Sequence, residues 1–502
     1  MKRTTLSLIA CATALAAVTG FAAVSAPDGS GTDTAAPAAR LPVERTSLLC
    51  PAPSTSDLAE TAYTSFTPVT KGADEKGGAE LATAETAEDG EKGDKDEKKE
   101  KDGKDEKPVV QPKAPGTPAA GKTTGADAPA LIGTAEGGTA PGWTVQQTTE
   151  VAAGTGRGLQ GVNCTAPDTE FWFPGASTAT GRTDYVHLTN PDDSAAVVDI
   201  ELYGKDGALK STVGEGVTVP PHTSESFLLS TLSEAKETDL TVHVGVRSGR
   251  VGAAVQALDD KTGGDWLTAA ADPASELVLP GIPKDATAVR LVLFTPGGTD
   301  ADLKVRLASP SGLITPAGHE TVHVKAGMTT GVDLGEVTRG EAGSLVLTPT
   351  DGAVPVVAAV RVVRGKGDEQ ESAFVPASDP VGARATVADN RAKSTTLALS
   401  APGAAAQVKV TASAGTEGGT PATKTYTIKA GTTQNVDAPV PAGLKGSYAL
   451  TVETVSGGPV HASRTLTGSD DDVAAFTVQT LPDDRGMVSV PNADEDLSVL
   501  QK

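Results

Sequence analysis

The sequence predicts an all-β protein with three tandem immunoglobulin-like or fibronectin-like β-sandwich repeats. The first reason is a segment in which apolar and polar residues alternate until a proline ends the pattern. It occurs at residues 185–191, 289–296 and 395–402. The closing prolines are about 105 residues apart, which is the length of one β-sandwich domain.

The second reason is that each copy stands among several short alternating segments. A further strand follows each copy, at residues 196–203, 303–307 and 407–411, and a hairpin-like pair of strands closes each unit. Six to eight such strands in roughly 100 residues are typical of a β-sandwich. A propeller blade has only about 40–50 residues, so these repeats are too long to be blades.

The composition supports the same fold class and sets the domain limits. The 56 glycines and 34 prolines favour frequent turns. Only 3% of the residues are aromatic, so the cores must consist mainly of Val, Leu, Ala and Thr. The three predicted sandwiches are residues 142–268, 269–370 and 371–468. Residues 27–70 are predicted to be a linker and strands of the first β domain. Residues 469–502 are predicted to contain terminal strands, which close an edge of the third sandwich, and a tail.

Residues 71–141 interrupt this pattern. Nearly every residue between positions 71 and 107 is Glu, Asp, Lys, Gly or Ala, and Pro, Gly, Ala and Thr dominate from there to 141. Such a composition buries too little apolar surface to offset the entropy lost on ordering. We therefore expect a long disordered acidic and lysine-rich insertion that loops out of a folded domain.

The N-terminus has the pattern of a secretory signal peptide. Lys2 and Arg3 precede an apolar run at residues 6–26 that ends in small residues. Residues 1–26 are therefore predicted to be a signal peptide, either cleaved or retained as an uncleaved anchor. No later apolar stretch approaches the roughly 20 residues of a membrane-spanning helix. We expect a secreted or cell-envelope-associated protein.

The net charge of −22 limits the classes of partner. Binding to nucleic acid depends on Lys and Arg side chains that neutralise phosphates, and an anionic membrane surface repels an acidic protein. We therefore expect no nucleic acid partner, and no membrane contact beyond an N-terminal anchor.

Export gives the cysteines a specific meaning. Cys11 leaves with a cleaved signal peptide, so the mature chain keeps Cys50 and Cys164. Two cysteines in an oxidising compartment favour one disulfide. Two buried free thiols are the alternative.

Residues 319–323 match the His-Glu-x-x-His pattern of zinc metalloproteases. That chemistry requires a helix, on which His319 and His323 share one face. The repeats favour a strand instead, because His323 aligns with threonines in the strands of the sister units. On a strand the two histidines would be about 13 Å apart. We interpret His319, Glu320 and His323 as a chance match and predict no metal site.

Phe171, Trp172 and Phe173 form an aromatic cluster. Because aromatic rings stack on sugar faces, these three are candidate ligand-binding residues. The alternative is packing within a core or between domains, since a Leu-Val-Leu run takes the same place in the next repeat.

Other catalytic patterns are scarce. The sequence has no Gly-x-Ser-x-Gly elbow. A bridge between Cys50 and Cys164 would also leave no thiol nucleophile. The sequence therefore predicts a protein that is not an enzyme and has no cofactor.

Four segments carry a resemblance to a known family. They are Leu-Leu-Cys-Pro-Ala-Pro at 48–53, Phe-Trp-Phe-Pro-Gly at 171–175, the Leu-Thr-Asn-Pro ending at 191 and Ala-Ala-Val-Gln at 253–256. In these the chain resembles an uncharacterised family of secreted proteins from high-GC actinobacteria, a domain-of-unknown-function family. The resemblance implies an exported envelope or extracellular protein and assigns no functional residues.

The leading prediction is an exported, non-catalytic β-sandwich protein with a structural or interaction role. Its expected partner is an unidentified envelope protein or a cell-wall glycan. The first alternative is a cell-wall or polysaccharide-binding module array that uses Phe171, Trp172 and Phe173. A zinc-dependent hydrolase is the third, disfavoured alternative.

Overall fold

The computed structural model describes residues 38–74, 76–86, 107–211, 213–468 and 475–491. The predicted signal peptide and the Lys- and Glu-rich residues 87–106 lie outside these ranges. The described chain divides into two compact units, one with residues 38–41 and 488–491 and the other with residues 42–487. In the first unit, strand β1 (Ala39–Pro42) pairs with β38 (Met487–Val490).

The described residues between positions 45 and 163 form two antiparallel sheets over one hydrophobic core, to which Tyr63, Leu81 and Leu131 contribute fully buried side chains. The strand orders of this first sheet pair are β2 (Arg45–Cys50), β7 (Leu131–Gly137), β4 (Gly77–Thr83) in one sheet and β6 (Ala119–Thr124), β3 (Ala59–Phe66), β8 (Thr144–Val151), β9 (Gly158–Asn163) in the other.

This first sheet pair corrects the prediction of disorder across 71–141. Residues 76–86 and 107–141 contain β4, β6 and β7, which bring Leu81 and Leu131 into the core. Apolar residues are sparse in this part of the sequence. Because β7 pairs with β2 and β4, and β6 pairs with β3, the few apolar side chains come together in one core. Composition measured over a window cannot reveal such long-range pairing. The predicted domain start at 142 is wrong for the same reason, because β8 and β9 pair within this sheet pair.

Residues 170–267 form the second sheet pair, around Phe173, Val186 and Val255. A short helix, α1 (Leu229–Leu232), follows β15. One sheet has the order β10 (Glu170–Ala176), β16 (Leu240–Ser248), β12 (Ala196–Gly204), β13 (Gly207–Ala208), with β14 (Val217–Val219) also on β12; the other has β18 (Gly263–Leu267), β17 (Gly252–Asp259), β11 (Arg182–Thr189), β15 (Thr223–Leu228), β5 (Glu85–Thr86).

The third sheet pair follows the same plan over residues 277–376, with a 3-10 helix (Gly367–Glu369) before its last strand. Its sheets have the orders β19 (Leu277–Ile282), β25 (Gly343–Pro349), β21 (Ala301–Ser309), β22 (Gly312–Ile314), with β23 (Thr321–Val324) also on β21; and β24 (Thr329–Gly335), β20 (Ala288–Phe294), β26 (Val357–Arg364), β27 (Glu371–Pro376).

The fourth sheet pair covers residues 384–480. Its sheets have the orders β28 (Arg384–Asn390), β35 (Tyr448–Gly457), β30 (Ala406–Gly415), β31 (Gly418–Thr420), β34 (Ala442–Lys445), with β32 (Ala422–Ile428) also on β30; and β33 (Thr432–Val436), β29 (Thr395–Ala401), β36 (His461–Thr467), β37 (Phe476–Thr480).

The proline-ended segment has the same place in the last three sheet pairs. It forms β11, β20 and β29, each a central strand with an antiparallel neighbour on both sides. This equivalence confirms the prediction of tandem all-β repeats. In the first sheet pair β3 has the same neighbours and ends just before Pro68, although the sequence pattern did not indicate it.

The repeat limits differ from those predicted. β27 pairs with β26, so residues 371–376 belong to the third sheet pair and not to the fourth. β37 pairs with β36, as predicted for a terminal strand that closes a sheet edge. The proline-ended segment locates the middle strand of each repeat, but the last strand has no comparable signal.

The last strands of the four sheet pairs pack against one another. β9 contacts β18, β18 contacts β27, β27 contacts β37, and β37 returns to β9. At the closing contact Arg384 of β28 forms an ion pair with Asp484 and donates a hydrogen bond to Thr70 Oγ1 at 2.9 Å. The four sheet pairs of the larger unit therefore form a closed cycle. Residues of at least two sheet pairs contribute to each contact between them.

Candidate functional site

The predicted disulfide is present. Cys50 ends β2 and Cys164 directly follows β9, with the two Cα atoms 4.5 Å apart. Both cysteines are buried in the core of the first sheet pair. The bond therefore ties one sheet of this pair to the other across 114 positions of sequence.

Phe171, Trp172 and Phe173 lie on β10 and are buried, with Trp172 only 6% exposed. The Trp172 ring stacks on His243 at 3.9 Å between centroids and on Phe294 of the next sheet pair at 5.4 Å. Sugar recognition by stacking needs an accessible ring face. The structure favours packing between sheet pairs as the role of these residues.

The His-Glu-x-x-His match falls where the repeats predict it. His323 lies on β23, and His319 and Glu320 lie in the preceding turn. The His323 imidazole faces Asp302 at 2.9 Å and Asp300 at 3.4 Å. Among the described residues no group of three or more His, Cys, Asp or Glu side chains is arranged to hold a metal ion.

The sequence contains a second motif match. Residues 116–123 read Gly-Thr-Pro-Ala-Ala-Gly-Lys-Thr, which fits the phosphate-binding loop pattern. That motif works by wrapping a loop around a phosphate at the start of a helix. Gly121, Lys122 and Thr123 instead lie within β6, paired with β3. The structural context that the motif requires is missing.

A cleft of about 470 Å³ opens where the first, third and fourth sheet pairs meet. Its volume is within the range of small-ligand sites. Arg157 is the one cationic side chain among its described lining residues, whereas five lining residues carry carboxylates: Glu60, Glu150, Asp368, Glu369 and Glu371. The Glu371 cleft, as we call it, is therefore strongly acidic.

Glu371 is the unusual member of this set. It is the first residue of β27 and only 1% exposed, and neither of its carboxylate oxygens has a hydrogen-bond partner among the described residues. Burial raises the pKa of the Glu371 carboxyl to about 7, an effect that the nearby Arg157 partly offsets. A buried carboxylate without a partner is costly, so a ligand group can supply what the protein does not.

Two glycines make room for this carboxylate. A Cβ atom at Gly158 would overlap the Glu371 carboxylate, and one at Gly263 would overlap the Arg157 carbonyl oxygen. Both glycines have positive φ, +109° and +73°, which also disfavours a side chain. The edge strands β9 and β18 therefore approach β27 closely enough to enclose Glu371.

Arg157 holds the rim of the cleft and does not neutralise Glu371 directly. Its Nη2 atom donates hydrogen bonds to the carbonyl oxygens of Lys261, Asp368 and Gln370 at 2.8, 3.1 and 3.2 Å. The guanidinium thereby links three segments of the chain. It donates no hydrogen bond to Glu371, whose two buried carboxylate oxygens have no hydrogen-bond partner among the described residues.

Asp265 lies next to the cleft on β18 and is also buried. Its carboxylate accepts hydrogen bonds from the Gly161 amide at 3.0 Å and from Thr477 Oγ1 at 3.0 and 3.1 Å. Burial nevertheless raises its pKa well above the usual range, and the charge of Glu371 adds to this effect. Asp265 thus joins three of the four edge strands, while Glu371 faces the cleft.

Residues 119–439 match the model of a family of unknown function, DUF5719. The chain belongs to the DUF5719 family. The DUF5719 match includes Arg157, Asp265 and Glu371, and it starts inside the segment that was predicted to be disordered. It confirms the resemblance to an uncharacterised domain family, and the actinobacterial source stays a prediction. No curated protein matches the sequence of this DUF5719 member.

None of the helices in the described parts of this DUF5719 protein has the length and apolar character that a membrane crossing requires.

The sequence prediction missed Glu371, Asp265 and Arg157. One signal could have found Glu371. Across the hairpins, Gln256 faces Trp266 and Arg361 faces Phe374, so Glu371 takes the place that Gly263 has in the second sheet pair. A charged residue where a sister strand has glycine, just before an apolar run, indicates a special environment.

Proposed function

We propose that this protein is an exported, non-catalytic binding protein of the cell envelope or extracellular space, and that the Glu371 cleft is its ligand site. The observation that carries the proposal is the buried, unpartnered Glu371 carboxylate at the base of an acidic cleft. The closed cycle of sheet pairs supports a binding role, because a rigid scaffold loses little entropy when a ligand is bound.

The disulfide supports export. Structural disulfides form and persist in oxidising compartments and are rare in the cytosol. The pattern of residues 1–26 adds the prediction of a signal peptide. These two independent features agree on an extracytoplasmic location.

The chemistry of the cleft favours binding over catalysis. None of its described lining residues is Ser, Thr, Cys, His or Lys, the side chains that most often act as nucleophile or base. A glycosidase could use two carboxylates, but none of the described lining residues is aromatic to hold a sugar ring. The same lack argues against polysaccharide binding in this cleft.

Site-specific photo-crosslinking in intact cells tests the proposal. A Leu58→p-benzoylphenylalanine variant places the crosslinker at the cleft on a residue that is 56% exposed, and a Val455→p-benzoylphenylalanine variant is its control at 57% exposure away from the cleft. We expect an extracytoplasmic adduct from position 58 and none from position 455. Equal adducts from both positions, or adducts with cytosolic proteins alone, would contradict the proposal.

A further inference from the structure

We infer that the Glu371 cleft binds a primary alkylammonium group, with the ammonium at the Glu371 carboxylate and the alkyl chain along the apolar wall of the cleft. The inference rests on the proposed binding function and specifies its ligand chemistry. A lysine side chain of a partner and a free aliphatic amine both carry this group.

The charge of the ligand follows from the carboxylates. Five of the described lining residues carry carboxylates. Glu150 is paired with Arg391 at 3.0 Å, and Arg157 is already bonded to three carbonyl oxygens, which leaves four carboxylates without a paired cation. A further anion would be repelled, whereas a cation relieves the repulsion among the carboxylates. Glu371 is the most buried of the five, and neither of its carboxylate oxygens has a hydrogen-bond partner among the described residues. It is therefore the most effective counter-ion for a buried cation.

An organic cation fits better than a metal ion. Calcium takes six to eight oxygen ligands and magnesium six, but the described residues bring no group of three metal-binding side chains together. Glu60, Glu150, Asp368 and Glu369 are exposed around the cleft and do not converge on Glu371. An ammonium group has three N–H donors and requires no fixed number of oxygen ligands, so a single buried carboxylate can serve as its partner.

The alkyl part of the ligand follows from the apolar wall of the cleft. This wall consists of Val151 and Leu159, which are buried, and of Leu58, Ala152 and Ala475, which are more exposed. A polar cation without a stem would leave this wall against water. A chain of four or five methylenes against it removes apolar surface from water on both sides, which favours binding.

Binding must depend on pH because Glu371 must be ionised. The charged groups near it are Arg157 beside β9, Asp265 on β18, and Asp368 and Glu369 before β27, while Thr477 on β37 is uncharged. Burial favours the protonated form of Asp265, so this residue does not compete for the cation. With the pKa of Glu371 near 7, affinity should rise with pH between 5.5 and 8, since an alkylammonium stays protonated throughout.

Isothermal titration calorimetry of the full chain with pentylamine, at low ionic strength, tests the inference. We expect binding at pH 8 that weakens more than about tenfold at pH 5.5 and at least about tenfold in Glu371→Gln. Pentanol, which has the same stem without the charge, should not bind. Glu336→Gln, an exposed carboxylate outside the cleft, should leave binding unchanged.

A second ligand and a second variant complete the test. An N-acetylated, amidated Ala-Lys-Ala peptide that binds more tightly than pentylamine would identify a protein side chain as the natural source; the reverse would identify a free amine. Leu58→Lys puts a competing ammonium at the opening on an exposed position and should weaken binding even if Glu371→Gln did not fold.

Binding of neither amine at pH 8, or equal binding by wild type and Glu371→Gln, would overturn the inference. Failure of the amines together with a specific adduct at position 58 would reject the ligand chemistry and leave the proposed function standing. Amine binding without any extracytoplasmic adduct would support the ligand chemistry and contradict the proposed function.

Discussion

Replacing both Cys50 and Cys164 with alanine is expected to lower the free energy of unfolding of the first sheet pair by about 5 kcal/mol. The disulfide closes a loop of 114 positions, and in the chain-entropy model a loop of this length constrains the unfolded chain by about that amount. Trp143 lies in the same core as both cysteines. Its fluorescence during urea denaturation should therefore report the loss.

Reduction provides the matched control for this variant. Wild-type protein under a strong reductant should unfold at the same urea concentration as the double variant, and the double variant should not respond to the reductant. Hydrogen exchange should show the loss in β2 and β7 before β29 and β36, because the bond lies within the first sheet pair. A loss below about 1 kcal/mol would contradict the expected role of the disulfide.

Trp172→Ala is expected to lower the free energy of unfolding by about 3–5 kcal/mol, the usual cost of removing a buried large aromatic side chain. The ring packs on His243 and Phe294, and its Nε1 atom donates to Glu170 at 2.9 Å. The substitution therefore opens a cavity between the second and third sheet pairs. Urea denaturation at fixed pH measures the change.

Leu313→Ala is the control for Trp172→Ala. Leu313 is exposed, and its truncation should cost less than about 0.5 kcal/mol. If Trp172→Ala were equally mild and instead abolished binding to cell-wall glycans, the packing interpretation would be wrong and the polysaccharide-binding alternative would return.

The all-β fold could be predicted because the alternation that buries one face of a strand is local. In β21 buried and exposed residues alternate from Ala301 to Val305, and the sequence shows the same alternation. The prolines after β11, β20 and β29 recur about every 105 residues. This spacing indicates the length of the repeat, which composition alone does not. The Cys50–Cys164 disulfide could be predicted because the chain has two cysteines beyond the predicted signal peptide.

The cleft could not be predicted because it depends on contacts between repeats. Glu371 and Gly158 are more than 200 positions apart, and they meet only when β9 and β27 approach each other in the closed cycle. The alternation pattern says which face of a strand is buried within its own sheet pair. It does not say which edge strands pack together, and the polar residues at those edges carry the candidate site.

Titration of the buried Glu371 carboxylate tests whether it binds a cationic ligand. Protein with ¹³C-labelled glutamate side chains would be titrated by NMR, with Glu371→Gln to assign the signal and pentylamine to occupy the cleft. We expect a carboxyl that titrates near 7, is missing in Glu371→Gln and shifts to lower pH with pentylamine. Titration near 4.5, the ordinary value for a glutamate, with no response to pentylamine would contradict binding of a cationic ligand at Glu371.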